Sequence, residues 1–257
     1  MSVIALSVNE HIATLTIASP PANALSTKIL SELDRKLDKI ENEATVKVVM
    51  LKGEGRFFSA GADIKEFTSL QKASDYESLA RKGQKLFDRM EHFHIPIIAA
   101  IHGAALGGGL ELAMACHIRI VSDNAKLGMP EVNLGIIPGF AGTQRLPQLV
   151  GNAKAYELIL TGEAISGEEA AAIGLANQAV KEDEVFFTAE KLARKIASKS
   201  KPSIRRVMEL IPFAKVSTFQ EGTQKEARSF GEAFGTEDAK EGIQAFIEKR
   251  NPQFRDR

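Results

Sequence analysis

The chain has 257 residues, 44% hydrophobic and 26% charged, a composition typical of a globular protein that buries its own core. Its 33 Lys and Arg residues balance its 33 Asp and Glu residues, so the charge balance argues against binding to nucleic-acid phosphates. A single cysteine, Cys116, excludes an intrachain disulfide and is typical of a reducing compartment. The sequence shows no signal or transit peptide pattern and no apolar run of roughly 18 residues, so we expect a cytoplasmic protein that does not enter a membrane.

The first half of the sequence alternates predicted strands with predicted helices. Two β-branched runs, Val3–Val8 and Ile12–Ile17, predict a hairpin. Apolar residues at helical spacing predict a helix from Ser26, its N-cap, to about Glu43. Further strands are predicted at Val46–Leu51, Ile97–Ile101 and Ile118–Ser122, and further helices at about Asp75–Phe93 and Leu110–Cys116. This alternation predicts parallel crossovers and therefore an α/β fold.

After about Gly139 the pattern becomes mainly helical. Only Ala176–Val180 has the pattern of an extended segment, and no internal repeat or flexible linker is visible. The predicted helices cover residues 141–162, 166–174, 183–199, 202–214, 218–234 and 236–249. We therefore expect an α/β core with the active site at residues 1–195, followed by a helical C-terminal region at residues 196–257.

Two segments of small residues lie where a ligand can approach the backbone closely. In the first, FFSAGAD at residues 57–63, we predict a loop with exposed N–H groups, or else an ordinary tight turn. The second, Gly103–Gly109, contains four glycines between a predicted strand and a predicted helix. Free N–H groups at a helix start favour a phosphate or a developing oxyanion. Neither the P-loop pattern nor the dinucleotide-binding pattern is present.

Two glutamates lie in apolar, glycine-rich surroundings. Glu111 falls in the first turn of the helix after the glycine segment, where a favourable interaction with the helix dipole is the alternative to a chemical role. Glu131 is flanked by Pro130 and Val132, and we expect the following residues, Gly135 to Gly139, to be buried or nearly so. Burial raises a carboxyl pKa unless the group is paired, which makes Glu131 a candidate proton donor or acceptor. The alternative is a carboxylate bound by backbone N–H groups or by Arg145.

Together these residues predict a type of chemistry. Two carboxylates in apolar surroundings suit paired acid and base catalysis on one carbon framework. Backbone donors near them suit a carbonyl group that becomes an oxyanion. The residues therefore predict proton addition or removal next to a carbonyl, and they do not identify the substrate.

The same segments, in this order and spacing, resemble the crotonase (enoyl-CoA hydratase/isomerase) superfamily. The resemblance runs from SPPANAL at residues 19–25 to EGIQAFIEKRNPQF at residues 241–254. Its most specific parts are FSAGADIKEF, GAALGGGLELAMAC and PEVNLGIIPGFAGTQRL. It implies a crotonase-like spiral of ββα units followed by a helical C-terminal trimerisation region, and a homotrimer or a dimer of trimers.

The resemblance also implies roles for individual residues. The backbone N–H groups of Ala62 and Gly108 would hold the thioester oxygen of an acyl-CoA. Glu111 and Glu131 would both hold a water molecule, with Glu111 helping to activate it for attack at the β-carbon and Glu131 supplying a proton to the α-carbon. The expected activity is hydration of trans-2-enoyl-CoA to 3-hydroxyacyl-CoA, in fatty-acid β-oxidation. Since relatives that isomerise lack one or both glutamates, the presence of both favours hydration.

Contacts with the acyl-CoA are implied at further positions. For Phe246 and Lys249, which match the segment that reaches toward coenzyme A, the alternatives are an apolar helix face and a solvated lysine. Met129, where hydratases often have Gln, is expected to affect the acyl pocket, and His117, where Asp is common, to be structural. The full set of expected contacts is Ala22, Ala24, Ala60, Ala62, Asp63, Ile64, Gly107, Gly108, Pro130, Gly139, Phe246 and Lys249.

No metal site and no permanently bound cofactor are expected, because the five histidines have no ligand spacing and coenzyme A is part of the substrate. Two alternatives to a hydratase stay open from the sequence. One is an enoyl-CoA isomerase or a specialised acyl-CoA dehydratase of the same family. The other is an RNA-binding relative, against which the zero net charge argues.

Overall fold

The computed structural model of the chain describes residues 2–63, 66, 73–215, 237–248, 250, 252–255 and 257. Within these ranges the chain forms a six-stranded sheet and a four-stranded sheet, with helices packed around them. No helix in the same ranges is both long and apolar enough to cross a membrane.

The six-stranded sheet contains the strands that the sequence predicts. Strands β1 (Ile4–Asn9) and β2 (Ile12–Ile17) are antiparallel, which confirms the predicted hairpin. From β2 onward all neighbouring strands are parallel, because a crossover connection follows each of them. After β1 and β2, the sheet continues in the order β3 (Val48–Gly53), β5 (Ile97–Ile101), β7 (Ile118–Ser122) and β10 (Gln178–Val180).

Both faces of this sheet are buried. On one face Val49 and Leu51 join the main core with helix α1 (Thr27–Glu41), which begins at the predicted N-cap, where Ser26 accepts a hydrogen bond from the Ile29 N–H. On the other face the alternate residues of β3 pack against helix α7 (Val185–Ala197). Strands covered on both faces are continuous apolar runs, and for this reason the sequence predicts them well.

The sequence does not predict the four-stranded sheet. It consists of β4 (Phe57–Ser59), β6 (Ala104–Leu106), β8 (Lys126–Gly128) and β9 (Ala164–Ser166), with only the β8–β9 pair antiparallel. The prediction of a loop from Phe57 to Asp63 is therefore wrong for its first three residues. Strands of three residues are too short to show a period of two in the sequence.

Each turn of the chain passes through both sheets and then into a helix. Strands β3 and β4 lead to α2 (Ala73–Glu91), and strands β5 and β6 lead to α3 (Gly108–Met114). Strands β7 and β8 lead to a 3-10 helix at Pro130–Leu134. The repetition confirms the expected spiral of ββα units. Helix α3 begins at Gly108 and not at the predicted Leu110, so two glycines belong to its first turn.

The later part of the chain is mainly helical, as expected. The predicted helix at 141–162 is two helices, because Gly151 adopts a φ of 78° between them. The predicted helix at 218–234 lies outside the described residues, and the division at residue 195 stays a prediction. The helices are α4 (Gly142–Val150), α5 (Asn152–Thr161), α6 (Gly167–Ala172), α7, α8 (Lys201–Leu210) and α9 (Glu237–Glu248), with 3-10 turns at Glu182–Glu184 and Ile211–Lys215.

Candidate active site

A strap formed by residues 19–25 lies along strand β4. The buried side chain of Asn23 donates to the carbonyl oxygens of Glu54 (2.9 Å) and Phe57 (2.8 Å) and accepts from the Ser19 N–H (2.9 Å). The Ser59 hydroxyl donates in return to the Asn23 carbonyl at 2.9 Å. The next contact along the strap joins the Ala60 N–H to the Ala22 carbonyl at 3.0 Å. These bonds bring the strap and the small-residue segment together.

Leu25 of the strap pairs with Ala62, and this pairing directs the Ala62 N–H away from the strap. Leu25 pairs with Ala62 as an isolated parallel bridge, through bonds from the Leu25 N–H to the Gly61 carbonyl (2.7 Å) and from the Asp63 N–H to the Leu25 carbonyl (3.1 Å). In this parallel bridge the bonds to Leu25 come from the residues before and after Ala62, so Ala62 itself uses neither its own N–H nor its own carbonyl. The Ala62 N–H is therefore available to a ligand.

The glycine segment brings a second N–H to the same place. Gly108 is the first residue of α3, so its N–H has no acceptor within the helix. A Cβ added at Gly108 would lie 3.2 Å from the backbone nitrogen of Ala62. Gly109 permits this approach, since a Cβ there would be 2.3 Å from the Ser59 carbonyl oxygen. The two N–H groups predicted to form an oxyanion hole are thus neighbours.

Glu111 is almost fully buried, and one of its oxygens is held by the backbone. Its Oε1 accepts the N–H groups of Phe140 (2.8 Å) and Gly142 (2.7 Å). Burial raises the pKa of Glu111 to about 7, with the nearby charge of Glu131 adding to the rise, while the two N–H donors and Arg145 oppose it. A carboxyl group with this pKa exchanges protons readily near neutral pH.

Glu131 has a less constrained carboxylate. Its Oε2 is buried and has no hydrogen-bond partner among the described residues, and burial raises its pKa. The carboxylate lies against the backbone of Gly107, since a Cβ added there would be 2.7 Å from Glu131 Oε1. Gly107 precedes Gly108, so Glu131 is adjacent to the paired N–H groups. The unpartnered Oε2 is therefore available to a substrate or a water molecule.

The structure corrects the expected surroundings of Glu131. Ile136 and Ile137 are 49% and 72% exposed, whereas the sequence predicts that they are buried. They follow the 3-10 helix and belong to a turn with Gly135 at a φ of 70°, which directs them outward. The Arg145 alternative does not apply, because the Arg145 guanidinium binds Glu91 and Asp88. A hydrogen bond from the backbone N–H of Glu131 to its own carboxylate partly opposes the rise of its pKa.

Helix α2 fixes the loop that carries the donors for Glu111. The Phe140 ring makes an edge contact with Phe87, with ring centroids 5.4 Å apart. A Cβ added at Gly83 would lie 2.3 Å from the Phe140 ring, so the ring lies directly against α2. Gln84 donates to the Gly139 carbonyl at 2.9 Å. The loop is thereby positioned by a helix distant in sequence from Glu111.

The structure brings most of the predicted contact residues into this region. Ala22 and Ala24 belong to the strap, Pro130 opens the 3-10 helix before Glu131, and Gly139 precedes Phe140. Ile64, Lys249 and the side chain of Phe246 lie outside what the structure describes, and their roles stay predictions. Met129 is fully buried, and its Cε would be 2.4 Å from a Cβ on Gly142, so it packs beside Glu111.

His117 has the surroundings of a structural residue. Its Nδ1 accepts the Ile97 N–H at 2.9 Å, and its Nε2 lies 3.2 Å from the Glu91 carbonyl oxygen. The first bond fixes the neutral tautomer that carries its proton on Nε2, so both ring nitrogens are used by the backbone. No group of three or more possible metal-binding side chains occurs in the described part of the chain.

Sequence reasoning misses the donors and supports of the site. Phe140 and Gly142 act through backbone N–H groups, which every non-proline residue carries, so no side-chain pattern identifies them. Asn23, with a φ of 52°, and Ser59 hold the strap, and only the small-residue context hinted at their position. The N–H groups of Ala62 and Gly108 are placed to stabilise an oxyanion, while the carboxyl groups of Glu111 and Glu131 are placed to move protons.

Comparison with known proteins shows which family the chain resembles over its length. A family model described as enoyl-CoA hydratase/isomerase matches residues 7–257. The chain is 59% identical over 256 residues to a probable enoyl-CoA hydratase of Bacillus subtilis, covering 99% of each chain. It is 43% identical to a short-chain-enoyl-CoA hydratase of Clostridium acetobutylicum, covering 93% of this chain and 92% of the relative. A crystal structure of enoyl-CoA hydratase from Bacillus anthracis superposes with a TM-score of 0.94 at 37% identity, covering 99% of this chain and 100% of that one.

Proposed function

Because the chain belongs to the enoyl-CoA hydratase/isomerase family, we propose that it adds water to trans-2-enoyl-CoA and forms 3-hydroxyacyl-CoA. The observation that carries the proposal is the unequal pair formed by buried Glu111 and half-buried Glu131, beside two backbone N–H groups that have no acceptor among the described residues. The short-chain specificity named for the Clostridium relative makes crotonyl-CoA the first substrate to test.

Polarisation of the thioester is assigned to Ala62 and Gly108. Their N–H groups donate to the thioester oxygen and stabilise the negative charge that it gains as the enolate forms. A charge stabilised at this oxygen makes the β-carbon more electrophilic. The water oxygen then bonds to the β-carbon, and the α-carbon receives a proton.

The two glutamates divide the proton transfers. Glu111 activates the water molecule through Oε2, because its Oε1 is already occupied by two N–H donors. Glu131 holds the same water and supplies a proton to the α-carbon, and its unpartnered buried oxygen suits this contact. Since one carboxyl group gains a proton and the other loses one, proton exchange through bulk water restores the starting state. The raised pKa values of both groups favour these transfers near neutral pH.

Purified protein mixed with crotonyl-CoA tests the proposal. Hydration removes the conjugated double bond, so the ultraviolet absorbance of the enoyl thioester falls. Glu111→Gln and Glu131→Gln should each lower kcat on the order of 100-fold or more, with the fold unchanged. Glu168→Gln is the matched control, because Glu168 is exposed on α6, away from the site.

Two other outcomes have defined meanings. Near-normal hydration by Glu111→Gln or by Glu131→Gln would contradict the two-glutamate mechanism. No hydration by the wild type, with movement of the double bond in a 3-enoyl-CoA, would assign the isomerase alternative. Steeply salt-dependent RNA binding would support the RNA-binding alternative.

The biological setting is part of the proposal. Fatty-acid β-oxidation is the pathway that consumes the same substrate class, and the single buried thiol of Cys116 suits the reducing cytoplasm. Assembly as a homotrimer or a dimer of trimers is favoured by the exposure of large apolar side chains on the 3-10 helix and α5. Leu134, Tyr156 and Leu160 are 60%, 67% and 69% exposed. Light scattering after gel filtration measures the assembly directly.

A further inference from the structure

Arg145 is a buried arginine that touches neither glutamate of the site. It lies on α4 with 6% exposure, and each of its three guanidinium nitrogens has a partner. Nε binds Glu91 Oε2 at 2.9 Å, and Nη2 binds Asp88 Oδ1 at 3.3 Å. Nη1 donates to the Phe140 carbonyl oxygen at 2.8 Å. The two acidic residues at the end of α2 neutralise its charge, so it is poorly suited to hold a substrate phosphate.

The contact with Phe140 connects Arg145 to Glu111. The carbonyl of Phe140 accepts from Arg145, while its N–H donates to Glu111 Oε1 at 2.8 Å. Two residues later the Gly142 N–H donates to the same oxygen at 2.7 Å. Between them Ala141 has a φ of 72°, a left-handed conformation that costs a residue with a side chain about 1 kcal/mol or more. External contacts must therefore hold this turn.

Other contacts hold the peptides on either side of this carbonyl. Gln84 binds the Gly139 carbonyl at 2.9 Å, in the same peptide as the Phe140 N–H. The Ala141 carbonyl, in the same peptide as the Gly142 N–H, accepts the N–H groups of Gln144 and Arg145 at 3.0 and 2.9 Å. None of these contacts binds the 140–141 peptide, which joins the two donor peptides. Arg145 binds the carbonyl group of that peptide itself, and its planar guanidinium holds a defined direction through its two acidic partners.

We infer that Arg145 is a positioning residue for the reaction: it holds the turn at 140–142 so that two N–H groups stay on one oxygen of Glu111. The other oxygen of Glu111 is then left to the reacting water. This inference rests on the proposed hydration. It predicts that the geometry of the guanidinium matters, and not only its positive charge.

Arg145→Lys tests the inference, because lysine keeps the charge and cannot hold three partners in a planar arrangement. Loss of a well-placed N–H donor destabilises the Glu111 carboxylate and raises its pKa. The charges facing Glu111 are those of Glu131 and Arg145, and both are retained in this variant. We expect kcat for crotonyl-CoA to fall on the order of 10-fold to 100-fold, with KM changed by less than about twofold. The acid limb of the pH–rate profile should move to higher pH.

Arg119→Lys is the matched control. Arg119 is also a buried arginine, 5% exposed, and its guanidinium binds the carbonyls of Leu175, Ala113 and Cys116. Arg119→Lys should lower thermal stability without moving the acid limb of the pH–rate profile.

The outcomes separate the inference from the proposed function. If the wild type does not hydrate crotonyl-CoA, the proposed function fails. If it does, and folded Arg145→Lys keeps the wild-type kcat and acid limb, the inference is wrong. It is also wrong if Arg145→Lys and Arg119→Lys lose activity equally with an unmoved acid limb. If Arg145→Lys does not fold, Glu91→Ala decides in the same way, because it removes the acceptor of Arg145 Nε while the guanidinium remains.

Discussion

Gly142 donates its backbone N–H to Oε1 of Glu111 at 2.7 Å, and a side chain at this glycine would displace its neighbours. A Cβ on Gly142 would lie 2.4 Å from Met129 Cε and 2.9 Å from Glu111 Oε1. The hydrogen bond that orients the carboxylate therefore depends on the absence of a side chain at its donor. Both contacts are with side-chain ends, so a Cβ here would displace Met129 and the Glu111 carboxylate and not the backbone.

Gly142→Ala should displace Glu111 and lower kcat by at least about tenfold, because small misplacements of a reacting group are costly. Gln144→Ala, an exposed position on the same helix, is the control. Steady-state kinetics with crotonyl-CoA measure both variants. Wild-type kcat in a folded Gly142→Ala variant would contradict the assigned role of Glu111 Oε1.

The buried carboxyl of Glu111 should make stability depend on pH. Its folded-state pKa is raised from 4.5 to about 7, so its stabilising contribution is full below pH 4.5 and is lost as the pH rises through 7. Relative to Glu111→Gln, the wild type should lose up to about 3 kcal/mol of unfolding free energy across this window. Urea unfolding at pH 5 and pH 8 measures the difference. If the wild type and Glu111→Gln differed in unfolding free energy by the same amount at both pH values, the pKa of Glu111 would not be raised.

Two adjacent glycines of α3 should respond differently to substitution. Gly109→Ala places a Cβ 2.3 Å from the Ser59 carbonyl oxygen, so α3 must move away from β4 and unfolding free energy should fall by about 1–3 kcal/mol. Gly108→Ala gives milder contacts, 3.2 Å from the Ala62 nitrogen and 3.3 Å from the Phe140 ring. It should fold, yet lower kcat/KM at least about tenfold by crowding the oxyanion donors. Thermal melts and steady-state kinetics on both variants test this difference. A stable, active Gly109→Ala variant or an unstable Gly108→Ala variant would contradict it.

Removal of metal ions should leave hydration unchanged. The proposed mechanism takes its acid, its base and its oxyanion stabilisation from Glu131, Glu111 and backbone N–H groups, and the described residues contain no cluster suited to a metal ion. Dialysis against a chelator, followed by assay with and without added Mg²⁺ or Zn²⁺, measures the effect. Activity lost on dialysis and restored by one of these ions would overturn the expectation.

The amino-acid sequence by itself determined the fold class and predicted the chemical groups of the candidate site. Strands such as Val48–Gly53 and Ile97–Ile101 are apolar runs buried on both faces, and α1 has a regular apolar spacing, so local patterns predict them. The small residues around Ala62 and Gly108 and the two glutamates were visible as a constellation. Their order and spacing also predicted the family.

Only the tertiary structure decided how these groups are held. The donors to Glu111 are 29 and 31 residues away along the chain, and Arg145 reaches Glu91 across 54 residues. The three-residue strands of the second sheet form only because neighbouring turns of the spiral supply their partners. Backbone N–H groups carry no residue-specific signal, and packing alone selects which of them lie next to a buried carboxylate. For that reason the sequence predicted the candidate reacting groups, while the structure determined that Glu111 is held through one oxygen and that one oxygen of Glu131 has no partner among the described residues.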